Sequence, residues 1–523
     1  MASSNQRSTR RRASRRDILA ALAAVLSAGA AMSADTKTGL TIYSSAQPGA
    51  ISPDLYRPVP GQVGSRFGLG APIPGYAVVR TDRRIDLGAK RQAVRFDDVA
   101  AYIDPTTVSF ASLTAPDATR VLEQNYQFDL VSTDKLLTRF LGQDIGAVVI
   151  RGNTAETTSG TLLSSGAGQL VLQQPDGGIK VVNQYAELNL PTLPEGLLTK
   201  PTLLWDIATD KPGPHDVRVS YQTEGITWWA DYNLIFTEGK DANSGVLDVG
   251  AWVSILNQSG ATFPEATLKL VAGDVHRAPK PETYGARSYA VSEAMAQRDD
   301  GFAEKSFFEY HLYTLGRPAT IPENSTKQIE LFPAARGVPC EKVLVYDALG
   351  GDMWFDPYNP MMDQGFGVQS RKDVLVYLRF NNSKESGMGM PLPAGRIRVS
   401  KADPADGSLE FIGEDVLRHT PRDETVLVRM GNAFDVVGER IQADFRLDTS
   451  RKTIDETIQI KVRNRKTEPV TVIVQERMHR WSTWEITKST IEPKKLDARL
   501  VQFPMTLKAG EEGTLRYTVR YTW

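Results

Sequence analysis

The residues best placed to recognise something are Trp354, Phe355 and Tyr358, which sit with Pro357 and Pro360 in a stretch rich in aromatics, Met and Gly over 350–367. Rings of this kind anchor partner proteins or stack on sugar rings. The competing expectation is a loop folded back with its rings in the core. Asp352, Asp356, Asn359 and Asp363 carry oxygens suited to Ca²⁺, but their spacing does not match an EF-hand loop, so turn formation is the expected role. Met353, Met361, Met362, Met388 and Met390 offer soft sulfur ligands of the kind Cu(I) takes, although flexible gap-filling is commoner for Met. The five histidines, His215, His276, His311, His419 and His479, are scattered singly and match no zinc spacing. Cys340, the single cysteine, follows Pro339 at the start of a predicted strand and reads as a buried structural thiol. There is no Gly-x-Ser-x-Gly elbow and no phosphate-cradling glycine loop before a helix. The expectation is therefore no cofactor and no metal site, and no residue is assigned a catalytic role.

The elements that must hold such a loop are strands. In the final segment Leu515, Tyr517, Val519, Tyr521 and Trp523 alternate with Arg516, Thr518, Arg520 and Thr522. That period of two fits a strand with one buried and one wet face. Ile458, Ile460 and Val462 do the same, and Val470, Val472 and Val474 follow after the turn-like Thr467-Glu468-Pro469. Further strands are predicted at Val246–Leu256, Lys327–Phe332, Lys342–Tyr346, Asp373–Phe380, Gly395–Lys401 and Thr425–Arg429. Short strands separated by Gly, Pro, Asn and Asp turns predict an all-β chain of several domains, built from β-sandwiches with little helix.

Upstream, Tyr76–Thr81 and Ala93–Phe96 read as strands of an N-terminal β domain over 35–130. A short helix is predicted where Ser132-Thr133-Asp134 offer caps, Leu136, Leu137, Phe140 and Leu141 give an apolar face, and Gly142 stops it. Five short strands follow (Ile145–Ile150, Thr158–Leu163, Gln169–Gln173, Ile179–Val182 and Ala186–Leu188), with Asp176-Gly177-Gly178 as a hairpin turn. Their rhythm predicts a small β-barrel over 131–190. Residues 191–196 read as a linker, 191–400 as a β-sandwich and 401–523 as a C-terminal one. Residues 281–306 read as a loop or short helix.

The N-terminus has the order of a cleaved export signal over residues 1–34: a basic start, an apolar stretch from Ile18 to Ala31, then small residues. Ser14-Arg15-Arg16-Asp17-Ile18-Leu19 resembles a twin-arginine signal, with Arg15 and Arg16 as the targeting pair. The apolar stretch is shorter than the ~20 residues a bilayer needs, and no later run is long enough, so no membrane span is expected after cleavage. Cleavage takes six Arg and one Asp from 61 basic and 62 acidic residues and leaves a net charge near −6. Nucleic acid is thereby disfavoured as a partner. With one cysteine no internal disulfide can form, and stability must come from core burial, for which 523 residues give ample material.

From Tyr221 the order of residues becomes distinctive. Tyr221-Gln222-Thr223-Glu224-Gly225-Ile226-Thr227-Trp228-Trp229-Ala230-Asp231-Tyr232 precedes Trp252, Asn257-Gln258-Ser259-Gly260 and Leu268-Lys269-Leu270-Val271-Ala272-Gly273. Phe308-Glu309-Tyr310-His311-Leu312-Tyr313, Gly431-Asn432-Ala433-Phe434-Asp435 and Gly438-Glu439-Arg440 follow. Together these resemble the family of proteins carrying the domain of unknown function numbered 4139, some called mucoidy inhibitor A, over about residues 200–523. Residues 40–190 resemble the family's usual N-terminal portion without the coiled-coil insertion many members have. The resemblance implies a β-rich envelope protein and brings no catalytic residues. The expectation is a periplasmic or extracellular, non-enzymatic protein that binds an envelope protein or a polysaccharide through sandwich loops. The alternatives are a carbohydrate-active hydrolase with its site in an inter-domain cleft, and a purely structural scaffold.

Overall fold

The computed structural model describes residues 36–43, 51, 73–97, 99–127, 132–151, 154–166, 168–192, 194, 201–273, 275, 302–307, 310–350 and 355–523. Arg15, Arg16, His276, Asp352, Met353 and Trp354 lie outside them. The chain is all-β, with one short helix among the described residues. It divides into two compact units.

The first unit takes the chain to Thr38, Arg80–Asp98 and Pro105–Tyr221. In one of its sheets the strand Thr202–Thr209 lies between Lys90–Phe96 and Thr119–Gln127, antiparallel to both. Trp205 is fully buried there, packs against Phe96 and Phe110, and donates its indole N–H to Gln124 Oε1 at 2.9 Å. A buried indole needs such an acceptor. The helix Thr133–Arg139 starts at Ser132, whose hydroxyl accepts from Lys135 N–H, as its N-cap position requires.

After the helix comes an open five-stranded sheet, where the strand rhythm predicts a barrel. Its order is Glu187–Asn189, Asp144–Arg151, Thr154–Gly166, Gln169–Gln173, Ile179–Val182, and the two end strands do not pair. Closure demands tilt and stagger from strands long enough to wrap; three- and four-residue edge strands are too short. Leu137 and Phe140 cover the apolar face instead, packing on Ile145, Leu162, Leu170 and Leu172.

The second unit holds Gly39–Val79, Val99–Asp104 and Gln222–Trp523. Strand Ile226–Glu238 pairs antiparallel with Ser244–Asn257, which pairs antiparallel with Ser325–Asp347. The sheet continues through Asp373–Asn381, Thr425–Asp448, Thr453–Asn464, Glu512–Thr522 and Trp484–Ser489. Val470–Arg477 leaves that line, lying parallel to Ser325–Asp347 and antiparallel to Leu500–Leu507. Ile458, Ile460, Val462, Leu515, Tyr517 and Val519 pack in one core with Val470, Val472, Val474, Val501 and Phe503, as two inner sandwich faces do. Phe302–Phe307, read from sequence as the end of a loop or helix, is a strand paired with Tyr310–Leu315. The alternation of Phe302, Glu304 and Ser306 is too short to declare itself, and pairing decides it.

Candidate functional site

The strand pattern carries charges where apolar side chains belong. Along Thr453–Asn464 the buried face reads Ile454, Glu456, Ile458, Ile460, Val462. Along Val470–Arg477 it reads Val470, Val472, Val474, Glu476, and the same parity runs on through buried Met478 and Arg480. Arg440 faces inward from the long strand Thr425–Asp448. Isolated charges cannot stay in such a core, so they must pair.

They pair two by two. Arg480 Nε donates to Glu456 Oε2 and Nη2 to Oε1, both at 2.9 Å, with the two side chains 0% and 2% exposed. Arg440 Nε donates to both oxygens of Glu476 at 3.1 and 3.0 Å, and the Tyr517 hydroxyl donates to Glu476 Oε2. Burial pushes the Glu456 carboxyl up, but the hydrogen bonds and charge of Arg480 outweigh it and leave the group low. Fully buried Glu476 is pushed up by burial against the pull of Arg440 and Tyr517. Arg440 stays protonated, the charge of Glu476 overcoming its own burial cost.

The remaining donors of the two arginines explain why this network faces the aromatic stretch. Arg480 Nη1 donates to Met361 O (3.0 Å) and Asp363 O (2.7 Å), and Nη2 to Phe366 O (2.9 Å). Arg440 Nη1 donates to Gly367 O at 2.8 Å, and Met361 N–H donates to Arg480 O. Thus the carbonyls of Met361, Asp363, Phe366 and Gly367, which no ladder satisfies, are taken up by two guanidiniums from the sandwich core. Gly367 has φ +75, and a Cβ there would stand 2.6 Å from His479 Nε2, so the loop passes directly over that ring. Gly438 performs a similar service on the strand: a Cβ would fall 2.1 Å from Tyr346 Cε2.

The predicted binding residues part company here. Tyr358 is 85% exposed. Phe355 is half-buried beneath Arg499, whose guanidinium carbon lies 3.9 Å from the ring centroid. Asp356 accepts from Tyr358 and Asn359 N–H, and Asp363 from Gly365 N–H. Both carboxylates serve as turn formers, and no group of three or more metal-ligating acids, His or Cys exists among the described residues.

The histidines are spread apart. His215 is buried, with Nε2 donating to Lys211 O and Nδ1 accepting from Ser112 Oγ. His311 meets Glu304 Oε1, and His419 Nδ1 accepts from Ala394 N–H. His479 is buried and donates Nδ1–H to Arg477 O, which leaves Nε2 without a partner. Burial lowers it to about 4. Burial pushes the Cys340 thiol up to about 12, which suits the structural role expected of it.

The residues missed from sequence are Arg440, Glu456, Glu476 and Arg480. Their signal was a charge on the apolar parity of a strand, visible at Glu456 between Ile454 and Ile458.

No curated protein and no solved structure matches the chain. The family model for the domain of unknown function DUF4139 does match, over residues 217–523, and this span contains the aromatic loop, both buried ion pairs and the Trp228–Tyr232 run. More than half of the chain being so matched, the protein belongs to the DUF4139 family.

Proposed function

We propose that this is an exported, non-enzymatic envelope protein that binds another protein or a surface polymer through the loop at 355–370. The observation that carries the reading is the contrast within that loop: its backbone is held from beneath by Arg440 and Arg480, while Tyr358 projects 85% exposed. A recognition ring presented on a fixed backbone loses less entropy on binding than one on a free chain. The hydrolase alternative requires two carboxylates about 5–10 Å apart flanking a bound sugar. The buried carboxylates Glu456 and Glu476 are each committed to an arginine, so no particular observation favours that alternative. Export rests on the Arg15-Arg16 segment. Among the described residues no helix is long and apolar enough to cross a membrane.

The test places a photo-cross-linking amino acid at Asn359, the exposed neighbour of Tyr358, in the full chain expressed with its own signal, followed by identification of the adducts. A reproducible protein adduct, or retention on a surface-polymer gel, that disappears in Trp354→Ala/Phe355→Ala/Tyr358→Ala supports the reading. Adducts and retention unchanged by that triple substitution, or absent throughout, overturn it.

A further inference from the structure

A second feature lies on the wet face of the strands that hold the loop. A cavity of about 340 Å³ opens there. Four strands build its wall in the order Val470–Arg477, Ser325–Asp347, Asp373–Asn381, Thr425–Asp448. Register sets the side chains: Gln475 stands beside Asp347, Leu375 beside Asn432, and Tyr377 beside Arg429. Gly431, at φ +130, coincides with the bulge between Val376 and Tyr377 that lets Arg429 and Asn432 both line the same hollow. Arg371 enters from the end of the loop and Arg477 from the end of its strand.

Three arginines, Arg371, Arg429 and Arg477, thus line the hollow together with two carboxylates, Asp347 and Asp373. Asp347 is already occupied, accepting from Gly350 N–H (2.9 Å) and Gln475 Nε2 (3.1 Å). None of Arg371, Arg429 and Arg477 forms an ion pair within 4.0 Å among the described residues, in a protein where most neighbouring arginines do. Arg477 Nε is buried with no hydrogen-bond partner, a donor that costs free energy until an acceptor arrives. Asp497, which Arg477 helps to hold low, is capped instead by the N–H groups of Arg499 and Leu500. Arginine's planar fork matches carboxylate and phosphate oxygens two at a time. The volume is at the lower end of the roughly 300–1,000 Å³ usual for ligand pockets.

We infer that this cavity is a binding site for a small organic anion, whose carboxylate or phosphate group is gripped by Arg371, Arg429 and Arg477. Asn432, beside Leu375, contributes an amide to the lining, and Tyr377 with Leu375 supplies apolar surface for the rest of the ligand. The site does not depend on what the aromatic loop binds, and its test is separate.

The test titrates the full chain with D-glucuronate, glucose 6-phosphate and glucose at one fixed ionic strength, read by calorimetry and by the midpoint of thermal unfolding. The three share a sugar ring and differ in its charge. Glucuronate binding identifies a carboxylate ligand and glucose 6-phosphate binding a phosphate one; glucose is expected to do neither. Arg371→Gln/Arg429→Gln, both exposed positions whose change leaves the core intact, is expected to weaken the bound anion at least tenfold with an unchanged circular dichroism spectrum. Anions that bind no better than glucose, or that bind the double variant as well as the parent, overturn the inference.

Discussion

Replacing Arg480 by Met removes the charge while keeping an unbranched apolar stem in the same slot. Glu456 is then buried with only Gln442 Nε2 donating to it at 2.8 Å. Breaking one side of a buried ion pair costs about 3–5 kcal/mol. The carbonyls of Met361, Asp363 and Phe366 also lose their donor, but their loop lies at the surface and water takes its place, so the pair dominates. With an m-value of about 2–3 kcal/mol/M, the urea midpoint falls by about 1–2 M. Trp481 and Trp484 pack against this core and report its unfolding by fluorescence. The double variant Arg480→Met/Glu456→Leu removes the stranded charge as well, and apolar replacement of a buried pair is close to neutral; it is expected to return within ~1 kcal/mol of the parent. A single variant whose midpoint moves less than about 0.3 M, or a double variant as unstable as the single, refutes the argument that the pair answers a burial demand. The loop offers a second readout: losing its clamp in either variant makes 361–367 exchange amide hydrogens faster, even where the double variant is stable.

Further expectations concern the same core and the N-terminal segment. His479 titrates at about 4 in the fold against about 6.5 unfolded, so between those values the unfolded chain binds more protons and stability is lost as the pH is lowered, by up to ~3 kcal/mol; His479→Gln flattens that window in urea titrations from pH 7 to pH 4. Glu456 acts below it, its folded value being lowered from 4.5, so its contribution holds above that value and disappears only in stronger acid. Gly438→Ala drives a methyl into the Tyr346 ring and costs about 1–3 kcal/mol, read as a lower urea midpoint. Arg15→Lys/Arg16→Lys is expected to hold the uncleaved precursor inside the cell, measured by fractionation and intact mass; normal export of that variant refutes the twin-arginine assignment.

The strands were legible because burial on one side imposes a period of two, and Leu515, Tyr517, Val519 and Tyr521 are buried as their alternation requires. The helix was legible through Ser132 and its apolar stripe, which lie within one turn of each other. Closure of the five-stranded sheet was not, since it depends on whether Glu187–Asn189 and Ile179–Val182 meet, and residue types along a strand do not encode that. The aromatic stretch announced itself by composition, yet composition could not separate exposed Tyr358 from Phe355 beneath Arg499.

The buried charges hold a middle position and carry the more general lesson. Glu456, Glu476 and Arg480 each break an apolar parity, and a break in a pattern is visible without a structure. An acid on the buried face of one strand requires a base on the buried face of another, which makes Arg440 and Arg480 the natural partners. What sequence withholds is the pairing and the surplus: an arginine has five N–H donors, of which Glu456 uses two from Arg480 and Glu476 one from Arg440. The donors left over point where the ladder has no carbonyls to satisfy them, and that is where the chain leaves the sheet to form 355–370. The same reasoning separates the two arginine sets. Arg440 and Arg480 are spent within the protein, whereas Arg371, Arg429 and Arg477 face a hollow with donors to spare, and a fold that keeps unspent guanidiniums together has kept a place for an anion.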